Sequence, residues 1–201
     1  MNSAEKKGLE LAQLYEHYEP LLRKAVSSGR AKFVRGEGNA DAKVIFIGEA
    51  PGLNEDLKGR PFIGRAGQLL NQWLESIGLK REHVFITNVV KCHPMKNSGT
   101  PQARGNDRPP TPSEIQACWP VLKQEITIID PDVIVTLGSP STRAVLQTQE
   151  PITKMCGRFF PFPAKADVRV FPLFHPAALF HNPTLQSTVK KDLVVLREAL
   201  R

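Results

Sequence analysis

Four residues able to bind a ligand or move a proton stand directly after short apolar runs. Glu49 follows Val44–Gly48, Asn88 follows Val84–Thr87, Ser139 follows Val133–Gly138, and His175 follows Val168–Phe174. A carboxylate can act as a base or stabilise a cation. A carboxamide donates and accepts side by side, and an imidazole exchanges a proton near neutrality. Gly48-Glu49-Ala50-Pro51-Gly52 ends the first run abruptly, because Pro51 has no N–H for a ladder and the glycines permit tight turns and close backbone approach. Open α/β sheets place ligands in loops at the carboxyl ends of parallel strands, so Glu49 is expected in a crevice. If all the runs are parallel, the four residues share one edge of the sheet.

The elements needed to hold them there are readable in order. Residues 4–27 have helical spacing at Leu9, Leu11, Leu14, Tyr15, Tyr18, Leu21 and Leu22, with Pro20 expected to kink or divide the helix. Residues 28–42 read as a polar connection, 43–47 as the first strand and 53–63 as a loop. Gly64 to Ile77 reads as a helix with Leu69, Leu70, Trp73, Leu74 and Ile77 inward, ended by Gly78. Val84–Thr87 is the second strand, and residues 92–112 form a long loop rich in Pro, Gly, Lys and Arg. Ser113 is expected to cap a helix reaching about Ile129. Val133–Leu137 and Val168–Phe174 are the remaining strands, with helices at 141–148 and 184–200. Alternating strands and helices imply a three-layer α/β/α sandwich around a central, mainly parallel, four-stranded sheet. Residues 1–201 are read as one domain.

The composition narrows the partners. The chain carries a formal charge of +7 with 41% hydrophobic residues, which makes a polyanion such as nucleic acid a plausible partner. No apolar run approaches the roughly 20 residues that span a bilayer, and Met1 to Leu9 is charged without an apolar signal core. A cytoplasmic monomer, without a membrane partner, is the expectation. Three widely spaced cysteines do not make a disulfide framework.

The motifs together resemble the uracil-DNA glycosylase superfamily, in particular its iron–sulfur-bearing bacterial and archaeal branch, family four. The resemblance runs from about Gly36 to Leu185. It rests on Gly48-Glu49-Ala50-Pro51-Gly52 with Glu55-Asp56, on Gly59-Arg60-Pro61-Phe62-Ile63-Gly64-Arg65-Ala66-Gly67 and on Thr87-Asn88-Val89-Val90-Lys91-Cys92. Arg108-Pro109-Pro110-Thr111-Pro112-Ser113-Glu114 and His175-Pro176-Ala177-Ala178-Leu179 complete it, in the family's order. The resemblance implies a fold of that family and a monofunctional hydrolase. It would release uracil, and potentially other deaminated bases, from DNA without a lyase step.

In that reading the target base leaves the stack before reaction. Phe62 is the implied platform for the flipped ring, and the backbone of Gly48, Ala50, Pro51 and Gly52 lines the base pocket. The Asn88 amide is the implied reader of the uracil O4 and N3–H edge, and His175 the donor to O2 as the base leaves. Glu49 either positions water or stabilises the cationic sugar. Arg65, Lys91, Ser139, Leu179 and Phe180 are the implied DNA contacts, with Lys96, Arg104 and Arg108 adding basic charge.

Three departures qualify the resemblance. The branch has a Cys-x-x-Cys pair upstream of the segment matching Gly36-Glu37-Gly38-Asn39, but residues 1–35 contain no cysteine; only Cys92 and Cys118 match cluster ligands. No iron–sulfur cluster, metal or other cofactor is therefore expected. Residues 93–107 include an insertion, which has no His after His93 and so none to trap the sugar covalently. His181 stands where the branch often has Arg. The alternative reading is a damaged-DNA binding protein of the same fold without efficient turnover. A nucleotide-binding enzyme finds no support, because no Gly-x-x-x-x-Gly-Lys-Ser/Thr loop is present.

Overall fold

The computed structural model describes residues 2–27, 31–96 and 107–201. Its centre is a sheet made by β1 (Glu37–Gly38), β2 (Val44–Gly48), β3 (Phe85–Asn88), β4 (Val133–Leu137), β5 (Phe160–Phe162) and β6 (Lys165–Leu173), in the order β1-β3-β2-β4-β6-β5. The four strands expected from the apolar runs form the parallel centre, β3-β2-β4-β6. β2, β3 and β4 are buried at every position, as continuous apolar runs require when helices cover both faces.

Two short antiparallel edge strands extend the sheet to six, beyond the four read from the sequence. β1 is only two residues long, and its Gly38 has φ +126°. A Cβ there would lie 2.0 Å from the Val84 carbonyl oxygen, so the close pairing needs glycine. β5 is masked in the sequence by Pro161, a residue that a sheet tolerates at its edge.

The helices are α1 (Ser3–Ser27), α2 (Leu53–Lys58), α3 (Arg65–Ser76), α4 (Pro112–Ile129), α5 (Ser139–Leu146), α6 (Ile152–Met155), α7 (Ala178–His181) and α8 (Leu185–Ala199). Strand alternation divides the core. Ile45 and Ile47 of β2 join the cluster with Leu11, Leu14 and Tyr15 of α1 and Cys118, Val121 and Leu122 of α4. Val44 and Phe46 join the opposite cluster, with Leu70, Trp73 and Leu74 of α3 and Val189, Leu193 and Leu196 of α8. This is the expected helix, sheet, helix layering.

Local differences from the sequence reading have physical causes. α2 occupies part of the segment read as a loop; it is six residues long, and its one buried side chain is the polar Asp56, so it has no apolar period to detect. Gly59, at φ +70°, ends it and donates its N–H to the Glu55 carbonyl at 2.7 Å. The cap of α4 is Thr111, not Ser113. Thr111 Oγ1 accepts from the Glu114 N–H while the Glu114 carboxylate accepts from the Thr111 N–H at 2.7 Å, a reciprocal capping box. α1 continues through Pro20 as one helix. Leu21 is 57% exposed and lies off the docking face, whereas Leu22 and Val26 are buried.

Candidate active site

The carboxyl ends of β2 and β3 open into a cavity of about 420 Å³. Glu49, Ala50, Pro51, Gly52 and Glu55 line it from the first motif, Asn88 from the end of β3, and Phe62 and His175 from loops. Residues distant in the chain meet here because the strands are parallel and start from the same side. The connection from β3 crosses over β2 to β4, with α3 and α4 on opposite faces, and such a reversal leaves a crevice at the strand ends.

Asn88 ends β3 and is 4% exposed. Its Oδ1 is buried and has no hydrogen-bond partner among the described residues. A buried amide oxygen left unpaired costs about 1–3 kcal/mol, so this atom is poised for a donor that enters the cavity. Gly48 lies against it. A Cβ on Gly48 would be 2.4 Å from Asn88 Oδ1 and 2.5 Å from Phe62 Cζ. Gly48 therefore sits beneath the cavity rather than on its lining, and its missing side chain allows the Phe62 ring and the Asn88 amide to approach.

Phe62 adopts φ +50°, a left-handed conformation uncommon outside glycine. Arg81 holds the turn, donating to the Phe62 carbonyl at 3.1 Å and to the Pro61 carbonyl at 2.5 Å. Gly67 is equally necessary, since a Cβ there would lie 1.7 Å from the Phe62 carbonyl oxygen. Glu55 fixes the next two residues by accepting from the N–H groups of Ile63 and Gly64 at 3.0 and 2.9 Å. The ring that results faces the cavity, 5.8 Å from the His175 ring.

His175 Nδ1 accepts from the Ala177 N–H at 3.2 Å, which puts the proton of the neutral ring on Nε2. Burial lowers its pKa to about 4, with Glu55 opposing the shift, so the ring is a neutral donor at pH 7. Burial raises the pKa of Glu49, whose carboxylate has no hydrogen-bond partner among the described residues. Glu49 is anchored through its main chain instead, its carbonyl accepting from the Val90 N–H at 2.9 Å.

The remaining expectations divide. Arg65 and Phe180 contact each other, with the guanidinium 4.6 Å from the ring centroid and Phe180 41% exposed, and neither is among the residues lining the cavity. Leu179 packs partly buried against the α3–α8 core, and Ser139 opens α5. Lys91 is not a surface contact for phosphate: its side chain is fully buried and paired with Glu125 at 2.5 Å. Arg108 is also committed within the protein, to both carboxylate oxygens of Glu114 at 2.8 and 2.6 Å and to the Met95 carbonyl. Burial would raise the Glu114 carboxyl, but hydrogen bonds from Arg108 hold it below its ordinary value. Arg104 lies outside the described residues. His93 and Asp107, paired at 2.5 Å, line the cavity with Pro109 and Pro110, and Glu55 supports its wall. Sequence reasoning placed Glu55 in a motif without a role and did not single out His93 or Asp107 as site residues. They reach the cavity because the chain on either side of residues 96–106 is drawn together, with Met95 bridging Asp107.

The family model of the uracil DNA glycosylase superfamily matches residues 35–199. The chain belongs to the uracil-DNA glycosylase superfamily. It is 44% identical over 175 residues to the Type-4 uracil-DNA glycosylase of Sulfurisphaera tokodaii, covering 84% of this chain and 75% of that protein. Against the Type-4 enzyme of Pyrobaculum aerophilum it is 36% identical over 192 residues, 93% of each chain. A Type-5 uracil-DNA glycosylase from the same organism is 32% identical over 177 residues, covering 81% of this chain and 73% of that protein.

The four-iron cluster implied by family four does not suit the donors of this superfamily member. Cys92 and Cys118 are both fully buried on the α1–α4 side of the sheet. Burial raises both thiol pKa values, and the proximity of Cys118 raises that of Cys92 further. Cys156 stands beside Asp192 of α8, on the other side of the sheet. Among the described residues, no group of three or more His, Cys, Asp or Glu side chains is arranged to hold a metal ion. A four-iron cluster normally takes four thiolates.

Proposed function

We propose that this chain hydrolyses the N-glycosidic bond of uracil in DNA, and that Glu49, Asn88 and His175 carry the reaction. Superfamily membership and the Type-4 relatives support the activity. The unpartnered Oδ1 of Asn88, buried beside Phe62 and sharing a cavity with a neutral His175, supports the residue assignment. Flipping brings the base out of the stack and onto the Phe62 ring. Asn88 Oδ1 then accepts from uracil N3–H while its amide donates to O4. Cytosine presents the opposite pattern at these two atoms, leaving both partners unpaired at about 1–3 kcal/mol each.

Breaking the C1′–N1 bond sends its electron pair to the base, and the negative charge is shared with O2. His175 Nε2–H donates to that oxygen, and a donor aimed at developing charge is worth roughly 3–4 kcal/mol. The sugar left behind has oxocarbenium character. Glu49 faces it from the first motif, as a carboxylate that orients the attacking water or stabilises the cation. The backbone of Ala50, Pro51 and Gly52 closes the base pocket. Arg65, Leu179, Phe180 and the start of α5 at Ser139 are the proposed DNA contacts.

Other deaminated bases are further candidate substrates. The reading extends to a single-domain monomer working in the cytoplasm. Three free cysteines suit a reducing compartment, and among the described residues no helix is long and apolar enough to cross a membrane. The deciding experiment is single-turnover excision on labelled oligonucleotides carrying uracil, hypoxanthine or xanthine, read by alkaline cleavage. Asn88→Ala should lower the uracil rate at least about tenfold while the fold survives. Full activity in that variant would refute the base-reading assignment. Binding of uracil DNA by the unaltered chain without excision would identify the binding-only alternative.

A further inference from the structure

Beneath the cavity lies a charged network that no step of the reaction uses. Lys91 is fully buried, as is Glu125 on α4. An ammonium has three protons to donate, and Lys91 Nζ has three acceptors: Glu125 Oε2 at 2.5 Å, Thr87 Oγ1 at 2.7 Å and the Asn88 carbonyl at 2.6 Å. Glu125 Oε1 accepts from the Tyr15 hydroxyl at 2.7 Å, and Thr87 Oγ1 lies 3.1–3.2 Å from both carboxylate oxygens. Tyr15 in turn accepts from the Gly36 N–H at 3.2 Å. Burial, with Glu125 beside it, pushes the Tyr15 hydroxyl well above its ordinary pKa, so it remains a donor.

We propose that Lys91, held by Glu125, is a positioning residue that fixes the main chain of Asn88 and so sets where its amide meets the base. Three features single out this role. The network ends on the carbonyl of the residue whose side chain enters the cavity. The following N–H groups, of Val89 and Val90, donate to the Gly48 and Glu49 carbonyls at 2.9 Å, so the end of β3 is tied on one side to the first motif and on the other to Lys91. Clearance around the amide is also small: Gly48 has no room for a Cβ beside Asn88 Oδ1. A carbonyl released from Lys91 lets the strand end rotate, and the amide moves with it. A buried ammonium gives a shorter and stronger clamp than a neutral donor, and Glu125 compensates its charge inside the core.

This inference rests on the base-reading role of Asn88, and the experiment separates the two. Lys91→Met removes the clamp. Lys91→Met with Glu125→Gln removes it without leaving a lone buried carboxylate, and serves if the single variant does not fold. Single-turnover excision of uracil with enzyme in excess reads the rate of folded molecules, and Kd for abasic product DNA reads binding. The expected result is a rate at least about tenfold lower, with Kd within about twofold of the unaltered protein. Leu14→Ala, which loosens α1 packing outside the network, should lower Tm and leave the rate of folded molecules unchanged. A folded Lys91 variant with the unaltered rate, beside an inactive Asn88→Ala, would overturn the positioning role alone. Full activity of Asn88→Ala would overturn the base reading first, and the positioning role with it. Failure of both Lys91 variants to fold at low temperature would assign the pair to stability and overturn the inference.

Discussion

A methyl group on Gly48 would lie 2.4 Å from Asn88 Oδ1 and 2.5 Å from the Phe62 ring, so one of these groups has to move. Gly48→Ala is expected to lower uracil excision at least about tenfold with little change in secondary structure, measured by single-turnover rates and circular dichroism. Two titrations are separable at this scale. Burial raises the Glu49 pKa, so its carboxylate is lost as pH falls through a value higher than that of an ordinary Glu. The excision rate should show an acid limb there, and Glu49→Gln should remove the limb as well as lower the rate. A limb unchanged in Glu49→Gln would assign it to another group. His175 behaves differently, because burial takes its pKa from 6.5 down to about 4. Between these values the unfolded chain binds a proton that the folded chain refuses, so His175 costs stability as pH falls from about 6.5 to about 4. His175→Gln should flatten Tm against pH across that window, and an identical slope in both proteins would contradict the burial argument.

At the level of elements, α1 docks on α4 through Leu11, Leu14, Tyr15, Leu22 and Val26, on the side of the sheet where Cys92 and Cys118 are buried. Packing therefore secures the segment that a metal cluster would otherwise tie down. Leu14→Ala should destabilise the protein by about 2–5 kcal/mol, the usual range for a buried leucine, as read by urea unfolding. Protein purified anaerobically should be colourless and lack stoichiometric iron. A brown protein with about four irons per chain would overturn the argument from the donors. The helical period of α1 was readable, although the period alone could not exclude Leu21 from the docking face. The start of α4 was misread by two residues because Thr111 and Ser113 are both good caps. The choice was made by Glu114, three residues after Thr111, which completes the reciprocal box.

For the whole molecule, the +7 charge is a statement about association. Affinity for DNA should fall steeply with salt, linearly on logarithmic axes, with a slope reporting the number of phosphates neutralised. A flat response in a filter-binding or anisotropy titration would leave the basic surface without a role. Net charge could not identify the contacts. Lys91 adds to the total, yet its ammonium is sealed in the core against Glu125. Arg108 adds to it as well, yet its guanidinium is committed to Glu114 and the Met95 carbonyl.

What the sequence determined by itself was the parallel centre of the sheet, the longer helices of both layers and the gathering of Glu49, Asn88, Ser139 and His175 at one edge. Continuous apolar runs and helical periods are local signals, and parallel strands bring their carboxyl ends together. The short edge strands and the short helices α2, α6 and α7 escaped because segments of two to six residues carry no period. Tertiary structure alone decided the fate of individual polar groups. Lys91 became an interior clamp because Glu125, thirty-four residues away, supplies the opposite charge within the core. His93 and Asp107 reached the cavity because Met95 bridges Asp107 there. Nothing local distinguishes a lysine bound for the surface from one whose three protons find three buried acceptors. That depends on which side chains the fold packs opposite it.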